Sequence, residues 1–257
     1  MIFDIKDFYP KITEELLRES LQFAHSIKPL SQEEKEIIFH ARKSLLFNEG
    51  TSWVKKGNKL FDVTMGAYDG AEVCELVGCF LLNKITQKYD KNNIGVYRDD
   101  GLAIFKNTSD QQNDKIRKDF QRLFKEHKLE IVAKCNLTVV DYLDVMFDLK
   151  SGTFKPYRKP DNETNYVHVH SNHPSNITKQ IPLSIQTRLS NLSSSEDIFN
   201  EAAVHYQDAL QRSGYDHKLE YKPTQNRNRQ GRNRKRQIIW LIHHLIKPLL
   251  QMSGNFS

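Results

Sequence analysis

Apolar residues recur along the first 150 positions with two periods, one typical of strands and the other typical of helices. The opening residues, MIFDIKDFY, predict a short apolar strand that carries acids at positions 4 and 7. Helical spacing follows over residues 10–27, where Ile12, Leu16, Leu17 and Leu21 share one face. A second helix is expected from the capping-box pair Ser31 and Glu34 to residue 47.

The next segments predict a hairpin, a buried helix, a second hairpin and an amphipathic helix. They are TSWVKKGNKLFDVTM with a turn at Gly57–Asn58, AEVCELVGCFLLNKITQKY, NIGVYRDDGLAIF, and SDQQNDKIRKDFQRLFKEH behind a Ser109/Gln112 capping box. LEIVA and YLDVMFDL then read as strands, and the second of these turns at Ser151–Gly152. This order predicts an α+β fold, in which helices lie on one face of a small antiparallel sheet.

The pattern changes after residue 160. Pro, Asn and Ser become frequent over residues 161–195, and SEDIFNEAAVHYQDALQRSGY then predicts a helix. Its apolar stripe consists of Phe199, Ala202, Ala203, Tyr206 and Leu210. We therefore expect three parts: a domain over residues 1–160, a mostly helical and partly irregular segment over 161–225, and a basic, disordered tail over 226–257.

Composition narrows the cellular setting. The 257 residues are 38% hydrophobic, and no run of eighteen apolar residues occurs, so no membrane-spanning helix is expected. The three cysteines, Cys74, Cys79 and Cys135, lack the spacing of a metal site, and such sparse use suits a reducing compartment. The sequence therefore predicts an intracellular protein of the nucleus or the cytoplasm.

The net charge of +6 is concentrated in one stretch. Residues 226–237, NRNRQGRNRKRQ, carry six Arg or Lys residues and no acid. A polyanion of phosphates is one natural partner for such a run, while a solvated linker or a nuclear-import patch is the other interpretation. On the first interpretation the nucleic-acid contacts are Arg229, Arg232, Arg234, Lys235 and Arg236.

Three acids stand where predicted strands end. Asp4 follows the first apolar strand, and Asp99 and Asp100 lie at the turn of the second hairpin. Neighbouring strands of one sheet would bring them together, and carboxylates so placed suit Mg²⁺, which keeps waters and binds substrate phosphates. A solvated turn is the plain alternative for the Asp-Asp pair. His168, His170 and His173 form a weaker metal candidate, because no Cys or acid completes the set.

The motifs around these acids resemble those of reverse transcriptases. FDIKDFYPKI resembles the first palm motif, YRDD resembles the tyrosine-x-Asp-Asp motif, and VTMGAYDGAEVCELVG occupies the place of the middle motif. With the downstream segments, the chain is similar over roughly residues 1–240 to enzymes of eukaryotic Penelope-like or related retroelements. The resemblance implies a polymerase palm over residues 1–160, followed by a thumb or connection region.

The resemblance also implies an activity, which is RNA-directed DNA polymerisation. Deoxynucleotides (dNTPs) would be added to the 3′-hydroxyl of a DNA primer on an RNA template, with two Mg²⁺ ions, or Mn²⁺ in their place. Its motifs assign metal binding to Asp4, Asp99 and Asp100, with the carbonyl of Ile5, and nucleotide contacts to Tyr9, Gly66 and Lys134. Tyr9 would exclude a 2′-hydroxyl. Met65 departs from the family pattern, because many relatives carry glutamine there.

Two further expectations follow from the resemblance. The fingers region of reverse transcriptases is expected to be missing ahead of Asp4, which would lower the activity. The family continues RKRQIIW with Phe-Asn-Pro-Pro-Phe, whereas residues 241–245 of this chain are Leu-Ile-His-His-Leu. One DNA sequence that encodes Phe-Asn-Pro-Pro-Phe encodes Leu-Ile-His-His-Leu when it is read one base later. We therefore expect a frameshifted read-through from about residue 241, the alternative being an amphipathic terminal helix. The chain as a whole is expected to be either an active fragment, a non-catalytic nucleic-acid-binding remnant, or a reading frame with no retained role.

Overall fold

The computed structural model describes residues 1–54, 60–159 and 163–223. These residues form two compact units, which divide after Asn136. The strand predicted over residues 142–149 and the turn predicted at Ser151–Gly152 therefore fall in the second unit, and the domain boundary near residue 160 stays a prediction. The basic run, with Arg229, Arg232, Arg234, Lys235 and Arg236, and the segment after residue 240 lie outside the described residues.

The first unit is built on a four-stranded antiparallel sheet. Its elements are β1 (Ile2–Ile5), α1 (Phe8–Lys11), α2 (Glu14–Ile27), α3 (Gln32–His40), β2 (Leu46–Asn48), β3 (Thr51–Trp53), α4 (Gly70–Thr86), β4 (Ile94–Tyr97), β5 (Asp100–Ala103), α5 (Asp110–Glu126) and β6 (Ile131–Lys134). The strand order is β4-β5-β1-β6, so β1 lies inside the sheet between two strands that follow it late in the chain.

One face of this sheet carries the hydrophobic core. Phe3 and Ile5 of β1 are buried, and the Phe3 ring packs on Phe120 and Phe124 of α5 with centroids 5.5 and 5.6 Å apart. Helix α4 is buried on several sides, which fits its apolar sequence. Since side chains alternate along a strand, Asp4 points to the opposite face. The expected α+β architecture, with small antiparallel sheets, is confirmed.

Local capping signals fix the starts of three helices. Thr13 accepts a hydrogen bond from the backbone N–H of Leu16 at the start of α2. The boxes predicted at Ser31/Glu34 and Ser109/Gln112 are both present. Each satisfies backbone N–H groups that a helix leaves free at its first turn.

Two turns differ from the sequence interpretation. The hairpin of β2 and β3 turns at Glu49 and Gly50, whose φ angles of 48° and 78° are both positive, as a two-residue hairpin turn favours. The expected turn at Gly57–Asn58 lies outside the described residues. The single strand predicted over residues 142–149 is wrong, because the chain turns within it at residues 143–144.

The second unit combines a three-stranded antiparallel sheet with two helices. Its elements are β7 (Val139–Tyr142), β8 (Val145–Asp148), β9 (Thr153–Pro156), α6 (Ser175–Asn191) and α7 (Glu196–Arg212). The turn predicted at Ser151–Gly152 joins β8 to β9. Phe199 and Leu210 of α7 are fully buried and pack in one cluster with Leu189 of α6. No helix within the described ranges is long and apolar enough to cross a membrane.

Candidate active site

The open face of the first sheet gathers the predicted acids. The antiparallel register places Asp4 of β1 directly opposite Asp100 of β5. Directly opposed residues point to the same face of a sheet, with Cβ atoms about 5 Å apart. On one side of these two acids, Tyr97 of β4 pairs with Asp100. On the opposite side, Val132 of β6 pairs with Asp4. Asp4 and Asp100 therefore stand side by side in one row across the sheet.

The third acid, Asp99, lies in the turn at the end of this row. Arg98 and Asp99 form a two-residue turn, since Tyr97 and Asp100 are paired. The carbonyl oxygen of Asp99 accepts a hydrogen bond from the backbone N–H of Ile5, at 2.9 Å. This bond fastens the turn to the end of β1, and it places Asp99 beside Asp4.

The three carboxylates affect one another electrostatically. The pKa of Asp4 is raised, first by burial and then by the negative charge of Asp99. The pKa of Asp100 is raised by burial and by the charges of Asp99 and Asp4. In the protein alone, Asp4 and Asp100 therefore hold protons more tightly than isolated carboxyl groups do. A bound cation would offset this repulsion.

The raised pKa of Asp100 predicts a stability effect with a defined sign. Because the folded state favours the protonated acid, the ionised form costs stability at pH 7, and the cost disappears as the pH falls through the folded pKa toward 3.8. Without divalent cations, Asp100→Asn is expected to melt above wild type at pH 7, with a smaller difference at lower pH. Thermal unfolding across that pH range measures this.

Asp114→Asn is the control of opposite sign. Hydrogen bonds from Lys118 and Arg117 lower the pKa of the partly exposed Asp114, so its ionised form stabilises the fold. This variant should melt at or below wild type at pH 7. An Asp100→Asn variant that melted below wild type at pH 7 would contradict the expected repulsion.

A metal at these acids would have to take few protein ligands. No group of three or more His, Cys, Asp or Glu side chains in the described part of the chain is close enough to enclose a metal ion. His168, His170 and His173, the weaker metal candidate, therefore belong to no such group within the described residues. Mg²⁺ commonly takes only one or two protein carboxylates, with water and substrate phosphates completing the set. The opposed Asp4 and Asp100, with Asp99 beside them, would suit only this second mode.

Tyr9 lies between α4 and the turn formed by Arg98 and Asp99. Burial raises its pKa, and the Cys74 thiol adds to the shift. The charge of Asp99 also acts on Tyr9, so the two side chains are near each other. Burial raises the pKa of Cys74 to about 12, which excludes a thiolate nucleophile at neutral pH. Tyr9 also lines an apolar cavity of about 410 Å³, together with Trp53 and Met65.

Gly66 and Lys134, the other two predicted nucleotide contacts, lie outside the row formed by Asp4 and Asp100. Gly66 has a φ of 87° in the loop before α4, a conformation that glycine adopts without strain, and no atom of the described residues lies within 4 Å of a Cβ built there. The neighbouring Met65 and Tyr68 are three-quarters exposed. Lys134 lies on the edge strand β6 and pairs with Ile2 rather than with Asp4. It therefore shares the open face but occupies the next row.

Two features of this region were not identified from the sequence. Arg98 has a φ of 54° in the acidic turn, and its Nε is buried, with no hydrogen-bond partner in the described part of the chain. Arg42 and Asp69 form a buried ion pair, which connects the end of α3 to the residue before α4. The sequence gives little signal for either feature, because both depend on contacts between distant segments.

The comparisons with known proteins concern the second unit. A family model described as an animal helix-turn-helix domain matches residues 165–224. The match includes α6 and α7, which a short turn joins, and covers less than half of the 257 residues. No curated protein matches the chain, and no solved structure does.

Proposed function

We propose that the first unit is the palm of a reverse-transcriptase-like nucleotidyltransferase. The observation that carries this proposal is the register of β1 and β5, which opposes Asp4 to Asp100, together with the bond from Ile5 to the Asp99 turn. A solvated turn needs neither feature. The motif order around these acids, with Tyr9 and Gly66 between them in the chain, supports the same assignment.

On this proposal Asp4 and Asp99 are the principal metal ligands and Asp100 is the supporting one. The motif resemblance adds the carbonyl of Ile5 as a ligand, and the N–H of Ile5 holds the Asp99 turn at the same place. Two Mg²⁺ ions, when bound, supply positive charge that activates a primer hydroxyl and stabilises the leaving phosphate oxygen. The protein side chains hold the ligand geometry, and the exposed sheet face leaves room for substrate phosphates.

The substrates follow from the same assignment. Tyr9 is the candidate for the contact beneath the incoming sugar, and its half-buried ring would favour a deoxynucleotide over a ribonucleotide. Gly66 leaves its backbone free for close approach by a base pair. Lys134 is the candidate contact to pyrophosphate. The proposed partners are an RNA template, a DNA primer and dNTPs, which places the protein in the nucleus or the cytoplasm.

Primer extension on an RNA homopolymer tests this function. We expect the wild-type chain to add dNTPs in the presence of Mg²⁺ or Mn²⁺ and to stop when the metal is chelated. Ribonucleotides should be added at a much lower rate. Binding of template and primer with no extension under any metal would overturn the enzymatic proposal.

A second candidate function is nucleic-acid binding by the second unit. The family match over residues 165–224 favours it, because helix-turn-helix folds commonly bind DNA. The two helices differ in charge: α6 carries Lys179 and Arg188 with no acid, whereas the acids of α7 are Glu196, Asp197, Glu201 and Asp208. Phosphates would therefore approach α6 rather than α7.

This charge difference gives a test of binding. Lys179 is exposed on α6, whereas Arg188 is paired with Asp144 at 2.8 Å. Lys179→Ala is expected to weaken duplex binding and to reduce the salt dependence by about one counterion. Glu201→Ala, on the exposed surface of α7, is the control and should bind at least as tightly as wild type. Fluorescence anisotropy over a salt series measures both, and equal weakening by the two changes would contradict binding through α6.

A further inference from the structure

The turn between Tyr97 and Asp100 holds an unusual residue in an unfavourable conformation. Arg98 has a φ of 54°, in the left-handed region where a Cβ is strained. Asn and Asp tolerate this region through local hydrogen bonds, and glycine adopts it freely, but a long side chain gains no such relief. A glycine at this position of a two-residue hairpin turn would avoid the strain.

The side chain of Arg98 also lowers the stability of the fold. Its Nε is buried and has no hydrogen-bond partner among the residues that the structure describes. An unsatisfied buried donor opposes folding, so such groups usually have a specific role. The guanidinium carbon lies 5.5 Å from the centre of the Tyr97 ring, and its charge acts on both Tyr9 and Cys74. The side chain therefore extends beneath the turn, toward α1 and α4.

We propose that Arg98 is a positioning residue, which holds the strained turn so that Asp99 faces Asp4 and Asp100. Its guanidinium anchors the turn between Tyr97 on one side and the Tyr9–Cys74 contact on the other. The role rests on the proposed function, because Asp99 is a metal ligand there. Strain of this kind persists where surrounding contacts impose it, and it is common at functional sites.

The hairpin of β2 and β3 supplies a matched comparison in the same unit. Glu49 occupies the equivalent first position of a two-residue turn, with a φ of 48°, and its side chain is exposed. It therefore has similar backbone strain without the contacts that surround Arg98. Arg98→Gly and Glu49→Gly should relieve similar backbone strain, but only the first removes the anchor.

The test combines three measurements on the full chain. Arg98→Gly should melt at the wild-type temperature or up to about 3 °C above it, as Glu49→Gly should. Its Mn²⁺ affinity, measured by titration calorimetry, should fall severalfold, and its kcat for primer extension should fall at least about tenfold. Arg98→Lys, which keeps a cation, should recover part of both losses. Glu49→Gly should leave affinity and kcat unchanged.

The outcomes separate this inference from the proposed function. A wild-type chain that binds no Mn²⁺ and extends no primer overturns the proposed function, and the role of Arg98 with it. An active wild type whose Arg98→Gly variant keeps its Mn²⁺ affinity and kcat overturns only the positioning role. A lower melting temperature for Arg98→Gly, with Glu49→Gly unaffected, would show that Arg98 supports the fold rather than straining it.

Discussion

Replacing Asp99 by asparagine is expected to lower the rate of RNA-templated primer extension by about 10³-fold. The variant keeps the size of the side chain and the backbone bond from Ile5 to the turn, and it removes one negative charge. If Asp99 is a principal metal ligand, the loss should appear in kcat, with little change in primer binding. Single-turnover extension and equilibrium binding, measured on the same preparation, separate the two effects.

Asp110→Asn is the control for this change. Asp110 is exposed at the first turn of α5, the helix whose Phe120 and Phe124 cover the opposite face of the sheet. Its replacement removes one carboxylate from the same unit without touching the open face. Full activity of Asp99→Asn beside an active wild type would show that Asp99 is not a metal ligand.

Gly101→Ala is expected to destabilise the first unit by about 3 kcal/mol. Gly101 pairs with Phe3, and a Cβ at this position would overlap the Phe3 ring. That ring cannot easily move, because Phe120 and Phe124 pack against it and it is only 3% exposed. A fall of about 10 °C in the melting temperature corresponds to this cost.

Gly95→Ala is the matched control for this prediction. Gly95 lies in the neighbouring strand β4, and nothing lies within 4 Å of a Cβ built there. The same chemical change should therefore shift stability by no more than about 0.5 kcal/mol. Chemical denaturation of both variants measures the difference, and equal effects would show that the Phe3 ring adapts.

The elements that were predicted well depend on neighbours in the sequence. The two capping boxes need only residues three positions apart, so Ser31/Glu34 and Ser109/Gln112 could be recognised directly. Alternating apolar residues likewise placed β1 and the hairpin of β4 and β5. The adjacency of Asp4 and Asp100 was expected from two strands of one sheet, although their roles in catalysis stay predictions.

The elements that were missed depend on tertiary contacts. Helix α6 includes Pro182, which is buried, and the sequence predicted no particular helix over its residues within the mostly helical segment 161–225. Leu143, in the turn between β7 and β8, has a φ of 54°. Glycine and asparagine are the residues that usually indicate such a turn in a sequence, and neither occurs at residues 143–144. Packing against neighbouring elements can override such local preferences. The buried environment of Arg98 was missed for the same reason.

The central position of β1 has a consequence for biosynthesis. Ile2 pairs with Leu102 on one side and with Lys134 on the other, so both partners are synthesised long after β1. At about 5–20 residues per second, the ribosome needs several seconds to supply them. During that interval both edges of an apolar strand are open to pairing with other nascent chains. The first sheet can therefore form only after β5 and β6 emerge, so β1 must stay unpaired until then.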